Sequence, residues 1–582
     1  MTIPIASQAS RVGAVNTAPS NMKQRITYVV HNPDDFSPEQ IEITKDELGP
    51  RFALKNVQAA KEHRITLGLD ELPSNISSIL QKWHELHLRW ASPKSHAGIP
   101  PFTSRVSPGL HVFFTPLPDT PEDALCSQLH WLISPEVYQG NLKCSTTASS
   151  STKLPILSER FSMSATSQFY AYLDDIEAFK GPWQVSMCKE GPLQAHCEKL
   201  VNDISTARSV DIDYDTISRT VVLTALWPLA EKDHWVEEKG WTSLHRLPSA
   251  WMIKHGKVAP KDLPTEESTV EIGVLSHEGN ADPEDIQFGG FLTVLGQDTK
   301  PKATRFQTPT RHYPLLNITT NPTAPPKPHP LTYTTLFDKP TGLHPTLTLT
   351  FPTQHLVPPA PSCKLHAHLT LPSYLFIDKH QFNDALFLSS KNLRSLRSLS
   401  GATDLEAPDW VVEAWGSAAL FELAVPNKKS SQLDKGKQGG GAANWNVSIP
   451  LHLRYLPASY DGYRTVPVPW PVVFWACHAD SGAQHASNPF DRTHVGYEGL
   501  FGPKTRFLHV DPKPHVATKE EHIKDDWLVE FIKVPVLATK RSEWLEAGTM
   551  GVVLVAFLGL CWVLFRGSGS KKDVGKVEKK EQ

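Results

Sequence analysis

Two overlapping aspartate pairs, Asp211-Ile212-Asp213 and Asp213-Tyr214-Asp215, come nearest to a catalytic pattern in this chain. Carboxylates two residues apart suit a hard divalent cation. In nucleotide-sugar glycosyltransferases such a D-x-D pair holds the cation against a diphosphate. Short acidic patterns also arise by chance, and the surrounding SVDIDYDTISRTVVL alternates like a strand with a polar face. His84 and His87 are three apart and would share a helix face, but they miss the H-E-x-x-H spacing of zinc proteases. His366 and His368 share one face of a predicted strand without an apparent third ligand. There is no G-x-S-x-G elbow, no P-loop and no G-x-G-x-x-G after a strand. Without a C-x-x-C, zinc-ribbon and thioredoxin chemistry also lack their motifs. The sequence therefore points to no catalytic residue, no cofactor and no metal.

The elements that would carry these residues divide along the chain. Residues 1–22 read as a flexible leader, and 23–298 as a mixed α/β region of one or two domains. Apolar spacing at Ile76, Leu80, Trp83, His87 and Trp90 predicts a helix, and Thr-Pro-Glu-Asp from Thr120 predicts the start of another. Cys144 to Lys153 reads as a loop. Residues 299–330 are rich in proline and read as an extended linker. From 331 to 535 the period becomes two. Val447, Ile449, Leu451, Leu453 and Tyr455 fall on one face, with His452 and Arg454 on the other, so this part reads as a β-sandwich. Asn427 to Asn444, rich in Lys, Gly and Ser, interrupts it as a disordered insert. The fold class expected is mainly β.

Residues 547–565 carry no charge, long enough at about 1.5 Å per residue to cross one bilayer core. The tail 566–582 is basic, which places it in the cytosol and the long N-terminal part in the lumen. Lys579 and Lys580 have the spacing of a dilysine retrieval signal of the endoplasmic reticulum. The start of the chain shows no apolar leader, so a tail-anchored cytosolic protein is the competing topology. With a net charge of −3, no basic field recruits nucleic acid. Asn75, Asn317 and Asn446 occupy glycosylation sequons. Six cysteines lie outside the span, an even number that permits pairing or buried free thiols alike.

Five blocks occur in order in the last third: GLHPTLTLTF from Gly342, LPSYLFIDKHQF from Leu371, DLEAP from Asp404, IPLHLRYLPASYDGY from Ile449 and VPVPWPVVFWAC from Val466. With a span after them, they resemble the PIG-X family and its fungal Pbn-type members. The most specific residues are His452, Arg454, Tyr455, Pro457, Pro469, Trp475 and Cys477. The resemblance implies a protein of the endoplasmic reticulum membrane with a lumenal bulk and no catalytic role. It would stabilise a polytopic PIG-M-type catalytic subunit, GPI mannosyltransferase I, which transfers the first mannose from dolichol-phosphate-mannose to the GPI precursor. A lumenal folding factor for membrane or vacuolar cargo shares the same features. Within these blocks Arg454 is expected to pair with Asp404 or Glu406, and Tyr455 to close the end of a sheet. Pro467, Pro469 and Pro471 suit an edge segment, and Cys363 and Cys477 are the disulfide candidates.

Overall fold

The computed structural model describes residues 23–567, except for 32–33, 35, 47–48, 55–56, 134–141, 156–164, 189–193, 229–241, 245–267, 276–284, 296–305, 318–326, 340, 406, 427–443, 479–489, 491, 493 and 515–525. The leader, nearly all of the Lys/Gly/Ser insert, and Lys579 and Lys580 lie outside the described residues.

An eleven-stranded sheet organises the N-terminal part. Its central strands are Lys23–Val30, Ala59–Gly68, Thr220–Trp227, Ser209–Asp215, Trp83–Ala91, Gly109–Pro116 and Ser167–Ala171, hydrogen-bonded in that order. Alternation gives it two unlike faces. Leu86, Leu88, Trp90, Val210, Ile212, Leu110 and Val112 turn to one side. There they pack with residues of the helices Ala124–Leu132, Glu177–Met187 and Gln194–Ile204. His87, Arg89, Asp211, His111 and Glu62 turn to the other side and are nevertheless buried.

The helix expected across Ile76 to Trp90 is real only as Ser74–Leu80. Trp83–Ala91 is a strand, because Leu86, Leu88 and Trp90 also repeat at two and the sheet supplies partners on both edges. His84 and His87 therefore point to opposite faces. His84 bonds Thr216 at the surface, while His87 is buried. Cys144 to Lys153, read as a loop, holds one helical turn, Thr147–Ser150, capped by Thr146. It also holds the short edge strand Thr152–Lys153, and Cys144 is disulfide-bonded to Cys126.

The C-terminal part is a pair of packed sheets. A six-stranded sheet runs His312–Pro314, Thr505–His509, Val472–His478, Lys364–Pro372, Gly416–Leu423 and Leu393–Gly401. A four-stranded one runs Asn444–Pro450, Thr346–Pro352, Thr332–Phe337 and Asp511–Pro512. Leu365, Leu369, Phe421, Trp475, Leu349, Val447 and Ile449 fill the space between them. The Cys363–Cys477 disulfide lies at its edge. Within 299–330, Phe306–Pro309 extends the large sheet and His312–Pro314 extends the six-stranded one, so this stretch contributes a strand to each.

The outer face of the six-stranded sheet meets the charged face of the large one. His366, His368, Phe474, Phe507 and His509 project there. Phe490, Val495, Tyr497, Leu500 and Phe501 lie between the two. Gly496, at φ +87°, lets this segment run close to His368, Phe113 and Gln168, and a side chain there would meet all three. At the end of the chain the helix Ser542–Gly567 has a mean hydropathy of 2.3 in its most apolar window and no burial against the rest. It is the one helix among the described residues long and apolar enough to cross a membrane.

Candidate functional site

The D-x-D carboxylates are committed elsewhere. Asp211 and Asp213 sit directly opposite Arg89 and His87 in the ladder. Asp211 accepts from Arg89 Nε at 2.6 Å, with Arg492 Nε at 3.6 Å, and Asp213 accepts from the His87 ring. Burial would raise the Asp213 pKa, but His87, Arg492 and His494 outweigh it and hold the carboxyl well below the usual range. Asp215 closes the following turn, accepting from the Ile217 and Ser218 amides at 2.8 Å each. Two aspartates thus hold the sheet face together and the third shapes a hairpin. Among the described residues no three His, Cys, Asp or Glu side chains gather as metal ligands. His366 and His368 face the sheet–sheet interface, and burial pushes each down to about 4, so both are neutral packing groups.

The residues of the last-third blocks come together around Arg454. The apolar alternation persists through Leu451 and Leu453, but Arg454 on the other face is only 2% exposed. Its guanidinium donates to the carbonyls of Ser373 at 3.1 Å, Ala407 at 2.8 Å, Ala402 at 3.3 Å and Asp404. A ring of main-chain oxygens takes up the donors of this planar five-donor fork, and Glu406, one of the two carboxylates expected to pair with it, lies outside the described residues. Burial lowers its pKa, and Asp404 and Asp409 oppose that shift. Phe376 lies beneath the guanidinium at 4.3 Å. His452, paired with Phe376 where Leu375–Phe376 meets His452–Leu453, stacks on the same ring, with His344 Nδ1 at 3.1 Å from its own Nδ1. Trp475 and Cys477 are core residues. Tyr455 does not close a sheet; it is 67% exposed.

From Tyr455 onward the chain turns toward the apolar helix. Pro457 and Ala458 offer their carbonyls to Arg464 at 2.7 and 2.9 Å, which folds the loop back on itself. Tyr463–Pro469 then pairs with Val529–Pro535 in a two-stranded ribbon, with Pro469 opposite Val529. The loop is bonded to the segment that starts the helix: Ser459 N to Leu537 O at 3.1 Å, Thr539 N to Ser459 O at 2.9 Å and Lys540 N to Tyr460 O at 3.3 Å. Tyr460, Tyr463, Phe531, Leu537 and Trp544 are left exposed around this join. Lys533 and Lys540 lie over the Tyr463 and Tyr460 rings. Beside the ribbon a cleft of about 830 Å³ opens between the two parts of the chain, walled by Tyr172, Asp174, Tyr374, Asp409 and Arg464. Lys143 and Asp409 form an ion pair in it, and Ser373 donates to Asp409 at 2.6 Å. Sequence reasoning passed over this aromatic surface; its only signal was the three tyrosines between 455 and 463, in a stretch that follows neither period.

A mainly β body bonded to the foot of one candidate membrane span defines the class: a membrane-anchored β protein whose motif residues build surfaces and supports. A family model described as PIG-X / PBN1 matches residues 340–565. The protein pbn1 of Emericella nidulans is 39% identical over 96% of this chain and 100% of its own. That of Neurospora crassa is 36% identical over 94% and 95%. PBN1 of Saccharomyces cerevisiae is 27% identical over 53% and 61%. The chain belongs to the PIG-X / PBN1 family.

Proposed function

We propose that this protein is the non-catalytic subunit that stabilises the catalytic subunit of GPI mannosyltransferase I, the enzyme placing the first mannose on the GPI precursor. Family membership carries the reading. The commitment of Asp211, Asp213 and Asp215 to ion pairs and a turn supports an accessory role over a transferase of its own. A partner that binds only the folded enzyme raises its stability by mass action, and the aromatic join with the bare helix is the surface we assign to that contact. Gly548, Gly551 and Gly559 have nothing within 4 Å, which leaves room for another helix to approach closely.

We place the protein in the endoplasmic reticulum membrane, with its bulk lumenal and its tail cytosolic. The Cys126–Cys144 and Cys363–Cys477 disulfides suit an oxidising lumen. Asn446 is exposed on an edge strand, where an oligosaccharide could be carried. Depleting the protein and profiling inositol-labelled GPI precursors tests the assignment. Accumulation of the unmannosylated precursor is expected. Normal precursors after thorough depletion would overturn it and favour a folding factor with many clients.

A further inference from the structure

A second enclosed space lies on the charged face of the large sheet, at the ends of the strands Trp83–Ala91 and Ser209–Asp215. Its volume is about 70 Å³, room for several waters or one tetrahedral oxyanion and too little for a sugar or a nucleotide. Arg89, Lys94, His96, Arg105, Arg208 and Arg492 line it, and Asp211 is the only carboxylate among the described lining residues. Two carboxylates behind the wall share the load. Glu62 holds Arg492 at 2.5 Å, and Asp511 holds Arg105 at 2.8 Å. Among the described residues five cations thus meet three carboxylates, and Glu62 also serves Arg25 and Arg64 at 3.5 Å each. Lys94 and Arg208 have no ion-pair partner among the described residues. Arg89 is 3% exposed, and its Nη1 is buried without a hydrogen-bond acceptor. The Nδ1 of His96 is in the same position.

Positive charge without a counter-ion at the half-buried Lys94 and Arg208 is unfavourable, and the buried Arg89 donor without an acceptor adds to that cost. One anion with several oxygens would relieve both, because arginine forks match the oxygens of phosphate. We propose that this cavity is a binding site for a phosphate-type oxyanion, held by Arg89, Lys94, Arg208 and Arg492. The ligand is either the free ion or the terminal phosphate of a small ester such as a lipid headgroup. Its walls come from both parts of the chain, since Phe490, Arg492 and Leu528 complete what the large sheet begins. Occupancy would therefore fasten the C-terminal part to the N-terminal sheet. The site does not depend on the proposed role in the mannosyltransferase.

The test uses the full chain in detergent micelles, with thermal unfolding followed at constant ionic strength. Inorganic phosphate replacing chloride should give a saturable rise of a few degrees in unfolding temperature. Titration calorimetry should then give one site per chain. The double variant Lys94→Gln/Arg208→Gln removes the two cations that support no ion pair. It should fold, unfold in chloride at or above the parent temperature, and bind phosphate about tenfold or more weakly. Glycerol phosphate as a second probe separates the sources. Stabilisation by both probes assigns the site to a phosphomonoester end, and stabilisation by phosphate alone assigns it to the free ion. Equal stabilisation by chloride and phosphate, or an unchanged phosphate response in the double variant, would overturn the proposal.

Discussion

Arg454 and Tyr455 are neighbours in one block and have opposite fates. Arg454 is enclosed by four carbonyls, and replacing it by methionine leaves those acceptors buried without donors. A loss of about 3 kcal/mol in folding stability is expected, measured by unfolding of the purified chain, and lysine should recover little of it. Tyr455→Ser should change stability by less than about 0.5 kcal/mol, because the ring is exposed. A fall in the level of the proposed catalytic partner in that variant would mark Tyr455 as a contact residue. The aspartates allow a similar separation. Asp211→Ala strands Arg89 beside Arg492 and should cost about 3–5 kcal/mol, whereas Asp215→Ala removes only a turn. Residue type and spacing made these positions conspicuous in the sequence. They did not reveal the partner, because the carbonyls around Arg454 come from segments around Ser373, Ala402 and Ala407.

At the scale of elements, the face between the two large sheets is unusually rich in imidazole. Burial pushes His111 down to about 3 and His366, His368 and His494 to about 4, with His509 well below its ordinary value. In the unfolded chain these rings titrate near 6.5. Between about pH 6.5 and 4 the unfolded state therefore holds protons that the folded state refuses. Stability is complete above pH 6.5 and falls as the pH drops, by at most about 1.4 kcal/mol per pH unit for each ring. Unfolding temperatures measured from pH 7.5 to 5 should decline progressively, and a flat profile would refute neutral burial. The Cys363–Cys477 bond spans a sequence separation of 114, and its removal by a double alanine change should cost about 4 kcal/mol. Period two in the last third announced its strands plainly, because one side of each faces the core between two sheets. Trp83–Ala91 was harder to read. Both of its faces are buried, so polar and apolar residues no longer mark inside and outside, and its apolar residues fit a helical spacing as well.

At the scale of the molecule, if the intramembrane surface grips the partner, exchanging Ala547–Phe565 for an unrelated span should lower the catalytic subunit's level while this protein's own level holds. An unchanged catalytic-subunit level would place the contact wholly in the extramembrane body. The bonds from Ser459 and Tyr460 to Leu537, Thr539 and Lys540 leave little slack between the β body and the helix. A helix turns about 100° with each residue, so the azimuth of the body about the membrane normal is locked to the face the helix presents among the lipids. One alanine inserted between Trp544 and Leu545 would swing the aromatic ribbon by about that angle while every contact inside the body survives. Such a protein would fold, insert and aim the two surfaces proposed to meet a partner in different directions.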